Sequence, residues 1–164
     1  MRWELLTAEL TADGVAVDVF RLFPDAPQDP SVAIAVTHLH RPCVPALASV
    51  IMLHGEFSNR SQWYRQGEDC IARHLLEQRF DVWLPEMRGH GHSPVNRAYG
   101  RNTLQDYAVT DLPAVQSFVS SRGRLPTAWA GYGLGALTLV VAVEKGLLAS
   151  QSIAGLILVA LDDV

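Results

Sequence analysis

Apolar residues fall along this chain in short runs broken by glycine- and proline-bearing turns, and the later runs are separated by stretches with helical spacing. Trp3 to Leu10 and Val15 to Phe23 flank Asp13-Gly14, and an aspartate-glycine pair between two apolar runs predicts a hairpin over residues 1–23. The five prolines from Pro24 to Pro45 remove backbone donors that a sheet ladder needs, so 24–46 reads as an irregular excursion. Within it Val32, Ile34 and Val36 alternate as an edge strand would.

From residue 47 the pattern becomes regular. Ala48 to Leu53 reads as a strand, followed by a helix within Arg65 to Gln78, where Ile71, Leu75 and Leu76 keep helical spacing. Phe80 to Leu84 is the next strand, closed by Pro85. Thr103 to Val119 is predicted helical, with Leu104, Tyr107, Ala108, Leu112, Val115 and Val119 on one face and Pro113 placed to kink or split it. Thr127 to Gly131, Leu134 to Gly146 and Ile153 to Leu161 follow as strand, apolar helix and strand. Strands alternating with helices imply parallel crossovers, hence an α/β fold with a mostly parallel sheet, helices on both faces and a βαβαβαβ core over 47–164.

The 164 residues fit one domain, and a chain of this size buries roughly 70% of its unfolded surface without disulfides or a structural metal. Cys43 and Cys70 are therefore expected as reduced thiols. The net charge of −4, without any lysine or arginine cluster, argues against nucleic acid as a partner. No apolar stretch reaches the length of a membrane span and the N-terminus lacks a signal-peptide core, so a cytoplasmic setting is expected.

Candidate chemistry lies in three turns at strand ends, where the crevice of an α/β sheet forms. They are His54-Gly55-Glu56-Phe57-Ser58-Asn59, then Glu86-Met87-Arg88-Gly89-His90-Gly91-His92-Ser93-Pro94, and Gly131-Tyr132-Gly133-Leu134-Gly135-Ala136. In order and spacing they resemble the α/β-hydrolase family, in particular its lipases and esterases, and the resemblance covers nearly the whole chain. It implies the N-terminal part of that fold, ending after the family's sixth strand, with carboxylic ester hydrolysis as the family reaction. It also implies that Gly133 stands at the nucleophile position, with Gly131 and Gly135 giving the turn room. The oxyanion hole would use the backbone N–H groups of Glu56 and Leu134, while His54, Gly55, Arg88 and His90 belong to supporting turns.

Three departures from the family pattern weigh against activity. Gly133 cannot form an acyl-enzyme, and loss of a hydrolase nucleophile costs about 10⁶ in turnover. Glu56 brings a carboxylate to the oxyanion site. The family's acid and histidine belong to strands after Val164. The expectation is thus a catalytically silent ester-hydrolase homologue, with a small acyl ligand as a possible occupant of its crevice. An alternative is an esterase completed by a C-terminal half, or restored by serine at position 133. Strand 153–161, an apolar edge, would serve for homodimerisation or for docking that half.

A dinucleotide fingerprint is also matched by Gly131-x-Gly133-x-x-Ala136, with Asp162 and Asp163 as ribose-binding acids, but it would leave the other two turns unexplained. No cofactor is expected. His38/His40 and His90/His92 are His-x-His pairs of a kind metals use, yet no carboxylate or cysteine stands at a ligand spacing in the linear sequence, so no metal site is assigned. His90 with Ser93 could be drawn as a displaced catalytic pair, but the family resemblance makes that loop structural.

Overall fold

The computed structural model describes residues 1–25 and 27–160. It contains a seven-stranded sheet of order β1-β2-β3-β5-β4-β6-β7. The strands are β1 (Arg2–Leu10), β2 (Ala16–Phe23), β3 (Ile34–His40), β4 (Ala48–Leu53), β5 (Phe80–Glu86), β6 (Thr127–Tyr132) and β7 (Ile153–Val159). The β1–β2 hairpin and the β2–β3 and β3–β5 pairs are antiparallel; β5, β4, β6 and β7 pair in parallel. Five of the seven strands therefore point the same way.

The hairpin turns at Asp13-Gly14, where Gly14 takes a positive φ of 79° and Thr11 Oγ1 donates to the Val15 carbonyl. The excursion expected over 24–46 is shorter than the prolines suggest, and its strand is internal. β3 is clamped between β2 and β5, with Ile34 to Thr37 and Leu39 buried. The prolines of this stretch all lie outside Ile34–His40, so the ladder loses no donor to them. Pro85, expected to close its strand, instead lies inside β5 opposite Val36.

Alternation of side chains across the strands builds a core on each face. On one face Phe20, Leu22, Ile34, Val36, Ile51, Leu53, Trp83 and Trp129 pack beneath α3 (Leu112–Arg122) and α4 (Leu134–Glu144). On the other, Leu39, Val50, Met52, Val82 and Leu84 meet Ala72 and Leu76 of α1 (Ile71–Glu77). That helix occupies only the last part of the span its sequence pattern covers. The segment before it forms a short 3-10 turn at Arg60–Gln62 and packs Trp63 and Tyr64 into the same core.

The helix expected from Thr103 starts there through a capping box. Thr103 Oγ1 accepts from the Asp106 N–H and Asp106 Oδ2 accepts from the Thr103 N–H. Pro113 does interrupt it: α2 (Leu104–Asp106) leads into a π turn over Tyr107–Asp111, and α3 begins at Leu112. Relaxing the spiral ahead of the proline absorbs the missing N–H without a break. Along β7, the sheet's edge among the described residues, Leu156, Ile157, Leu158 and Val159 are all exposed by 39% or more. Leu161, Asp162 and Asp163 lie outside the described residues, and with them the end of the expected strand and the acids of the dinucleotide reading.

Candidate active site

The three turns converge at the C-terminal ends of the parallel strands. The third is a sharp strand-to-helix elbow: Gly133 links β6 to α4 with φ 50° and ψ −117°, a conformation L side chains rarely adopt. The two flanking glycines are required for a different reason. A Cβ on Gly131 would lie 2.7 Å from the backbone of Ala136, and one on Gly135 would lie 2.6 Å from the His54 carbonyl oxygen. Both let α4 press against β4 and β6. At Gly133 a Cβ would meet nothing within 4 Å, so the elbow points its apex into open space. The Gly133 N–H donates to the Val159 carbonyl (3.0 Å), and the Gly133 carbonyl accepts from Leu137 (3.0 Å), tying the elbow to β7 and to the helix.

His54 joins the first turn to the second. It is 1% exposed; its Nε2 accepts from the Met87 N–H (3.1 Å), which places the proton on Nδ1, 2.7 Å from the Gly55 carbonyl. Burial pushes its imidazole down to about 4, so it is neutral at pH 7. The Gly55 N–H donates to Gln62 Oε1 (2.9 Å), and His90 Nε2 lies 2.8 Å from the Glu56 carbonyl. The turn expected to supply one oxyanion-hole N–H is thus held through the Gly55 N–H and the Gly55 and Glu56 carbonyls. Glu56 itself is exposed, and with Leu134, His90, Tyr99, Leu104 and Tyr107 it lines a crevice of about 370 Å³. A solvent-exposed carboxylate opposes charge in the hole less than a buried acid would.

The second turn is built around buried polar groups. Glu86, fully buried, accepts from the backbone N–H groups of Arg60 (3.2 Å) and His92 (3.1 Å) and lies 3.0 Å from His92 Nδ1. A Cβ on Gly91, which has a φ of 53°, would strike that carboxylate, so the loop can wrap it only as glycine. Ser93 Oγ donates to the Glu86 carbonyl and accepts from the Ala35 N–H (2.7 Å), pinning the loop to β3. Arg88 Nε donates to both Asp111 oxygens (3.2 and 3.0 Å) and its Nη2 donates to Asp111 Oδ1, with both side chains under 5% exposed. Burial raises the Asp111 carboxyl to about 6, against the pull of Arg88, and the pair is ionised at neutral pH.

The residues that the three turns offered as a hydrolase site therefore lie in one region: Gly131, Gly133 and Gly135 form the elbow, Leu134, Glu56 and His90 line the crevice, His54 and Gly55 tie the first turn to its neighbours, and Arg88 turns to Asp111. His90 and Ser93 are not a catalytic pair, since the Ser93 hydroxyl is engaged with β3 and β5 and the His90 ring with the Glu56 and Arg88 carbonyls. Of the two acids that organise the second turn, Glu86 stands at the start of its sequence motif but with no role legible there, and Asp111 lies outside any motif. The buried partner of Arg88 comes from a helix whose π turn is invisible in the apolar pattern.

A sheet of this order with a glycine-flanked elbow at the end of β6 defines a hydrolase scaffold, and the comparisons agree. Residues 48–163 match the profile of the alpha/beta hydrolase fold, and the chain belongs to that family. A probable lipase of Schizosaccharomyces pombe is 30% identical over 84 residues, which cover 46% of this chain and 18% of that protein. A cold-adapted esterase from an Arctic intertidal metagenomic library superposes with a TM-score of 0.69 at 17% identity, covering 96% of this chain and 65% of its own. An epoxide hydrolase of Vigna radiata superposes with a TM-score of 0.57 at 13% identity, over 90% of this chain and 41% of that one. The chain thus spans less than two thirds of the length of each of these relatives.

Proposed function

We propose that this chain is a lipase- or esterase-like α/β-hydrolase homologue that does not hydrolyse esters by itself and retains the crevice above the elbow for a small acyl ligand. The observation that carries the reading is the geometry at Gly133. The backbone keeps the strained turn and the open space that a nucleophile needs, but the residue has no side chain to attack with. The crevice is bounded by Leu134, at the first turn of α4, where helix N–H groups favour an acyl oxygen. A cytoplasmic setting accords with Cys43 and Cys70 being free thiols, and among the described residues no helix is long and apolar enough to cross a membrane.

A second reading rests on β7. Its exposed apolar residues make it a strand suited to pairing, and the occupant we propose is a polypeptide carrying the family's later strands, with the acid and histidine on them. In that reading hydrolysis requires both the complement and a side chain at position 133.

The test is Gly133→Ser assayed on p-nitrophenyl acetate and butyrate, alone and with a polypeptide supplying those later strands, beside the unmodified chain. The unmodified chain is expected at the uncatalysed rate in both settings, and the serine variant to turn over only with the complement. Turnover by the unmodified chain alone would refute the proposal. Homodimerisation through β7 would appear as a doubled mass in light scattering and would replace the complement as the occupant of that edge.

A further inference from the structure

The sheet face that carries Phe20, Ile34, Val36 and Trp83 changes character at one end. Residues two apart on a strand share a face, so the β3 alternation that buries Ile34 and Val36 continues into His38 and His40. The register sets Asp18 of β2 opposite His38 on one side and Trp83 of β5 opposite it on the other; Asp81 lies two residues before Trp83 and so shares its face. Two imidazoles and two carboxylates thus gather near the N-terminal ends of β4, β5 and β6, at the far end of the sheet from Gly133. A pocket of about 410 Å³ opens on them and is also walled by Ser49, Arg122 and Thr127.

The distances suit metal ligation. His40 Nε2 lies 3.2 Å from Asp18 Oδ2, and His38 Nε2 lies 3.4 Å from Asp81 Oδ2. Tetrahedral zinc with bonds of about 2.1 Å holds neighbouring donors roughly 3.4 Å apart, so two donor pairs are already spaced for it. Donor atoms of Asp18, His38 and His40 all lie within 4.8 Å of one another. Side-chain rotation can close that gap.

Two further features point to a ligand. His38 Nε2 is buried, and its 3.4 Å contact with Asp81 Oδ2 lacks hydrogen-bond geometry, so the nitrogen is left without a proper partner. The two imidazoles are also side by side: His38 stacks on Trp83 (centroids 3.6 Å, 2° between planes) and on His40 (4.4 Å, 17°), and a turn of the partly exposed His40 ring would bring its nitrogen toward the same point. The one guanidinium on the pocket wall, that of Arg122, is occupied by the rings of Phe20 (4.7 Å), Trp3 (5.3 Å) and Phe118 (5.6 Å).

We infer that Asp18, His38 and His40 form a binding site for one divalent transition-metal ion of the zinc type, with the Asp81 carboxylate completing its shell. Two imidazoles with carboxylates are a donor set for zinc or cobalt, and the site is independent of the elbow and its crevice. The linear sequence shows only the His-x-His pair. The carboxylates arrive from β2 and β5, which is why no metal site could be assigned from spacing alone.

The experiment titrates Zn²⁺ into the full chain by calorimetry at pH 7.5, with Co²⁺ absorption as a reading of coordination geometry. One equivalent is expected to bind, with tetrahedral cobalt bands. Asp18→Asn and His40→Gln, both at partly exposed positions, are each expected to weaken binding at least about tenfold while the circular dichroism is unchanged. His74→Gln dismantles the exposed His74, Asp69 and Glu77 group, the competing surface site, and is expected to leave binding intact. Absence of saturable binding, or one-site binding that survives Asp18→Asn and His40→Gln, or that disappears with His74→Gln, would overturn the inference.

Discussion

The Cα of Gly135 approaches β4 so closely that a methyl group there would lie 2.6 Å from the carbonyl oxygen of His54. The obstacle is backbone, flanked by Leu53 Cβ at 2.8 Å, and neither can swing aside. Gly135→Ala is therefore expected to cost about 1–3 kcal/mol despite the better helix propensity of alanine. Urea unfolding measures it; equal or greater stability of the variant would mean that α4 does not dock as described.

Gly133 sets a different expectation. A Cβ there meets nothing, so Gly133→Ser bears only the strain of the positive φ, about 1–3 kcal/mol. The variant should fold with a native circular dichroism spectrum and a lowered midpoint. Failure to fold would show that the apex of the elbow is not open.

His54 makes stability depend on pH. Its folded value of about 4 lies below the ordinary 6.5, so between the two the unfolded chain binds more protons than the native one. The stabilisation is complete above pH 6.5 and is lost as the pH falls toward 4, amounting to about 3 kcal/mol. Nitrogen chemical shifts from the ring should report a proton on Nδ1 and a bare Nε2 unchanged from pH 7.5 to 5. A transition centred near 6.5 would contradict the buried Met87 contact.

Arg88 and Asp111 are coupled inside the protein. Asp111→Leu alone leaves a guanidinium buried without its carboxylate and should cost about 3–5 kcal/mol. The double variant Arg88→Met/Asp111→Leu should recover much of that loss, because no charge remains to be desolvated. Additive losses in the cycle would show that the two groups do not rely on each other.

Ser93 separates structural from catalytic roles. Ser93→Ala removes the partner of a buried Ala35 N–H and is expected to cost about 1–3 kcal/mol. Whatever ester hydrolysis Gly133→Ser with its complement provides should be unaffected in kcat. A large fall in kcat at full folding would assign the hydroxyl to chemistry.

Much of the architecture is readable from local chemistry. Asp13-Gly14 marks its hairpin, Thr103 its helix start and the glycines around position 133 their elbow, because each signal acts within a few residues. β3 is obscured because its position depends on which strands flank it, and that is decided by β2 and β5 far away in sequence. The same limit applies to the site. His54 and Arg88 are visible as parts of motifs, whereas Asp111, Glu86 and the Asp18–His38–His40 group exist only once distant strands and helices meet.

The bond from the Gly133 N–H to the Val159 carbonyl also bears on the order in which the molecule assembles. Hairpin, capped helix and the early strands can form from neighbouring residues, but this hydrogen bond closes a long loop through α4 and β7. On a ribosome the elbow residues emerge well before the carbonyl that anchors them. The glycines give the turn its shape locally, but this anchor can be made only when the outer strand has joined the sheet.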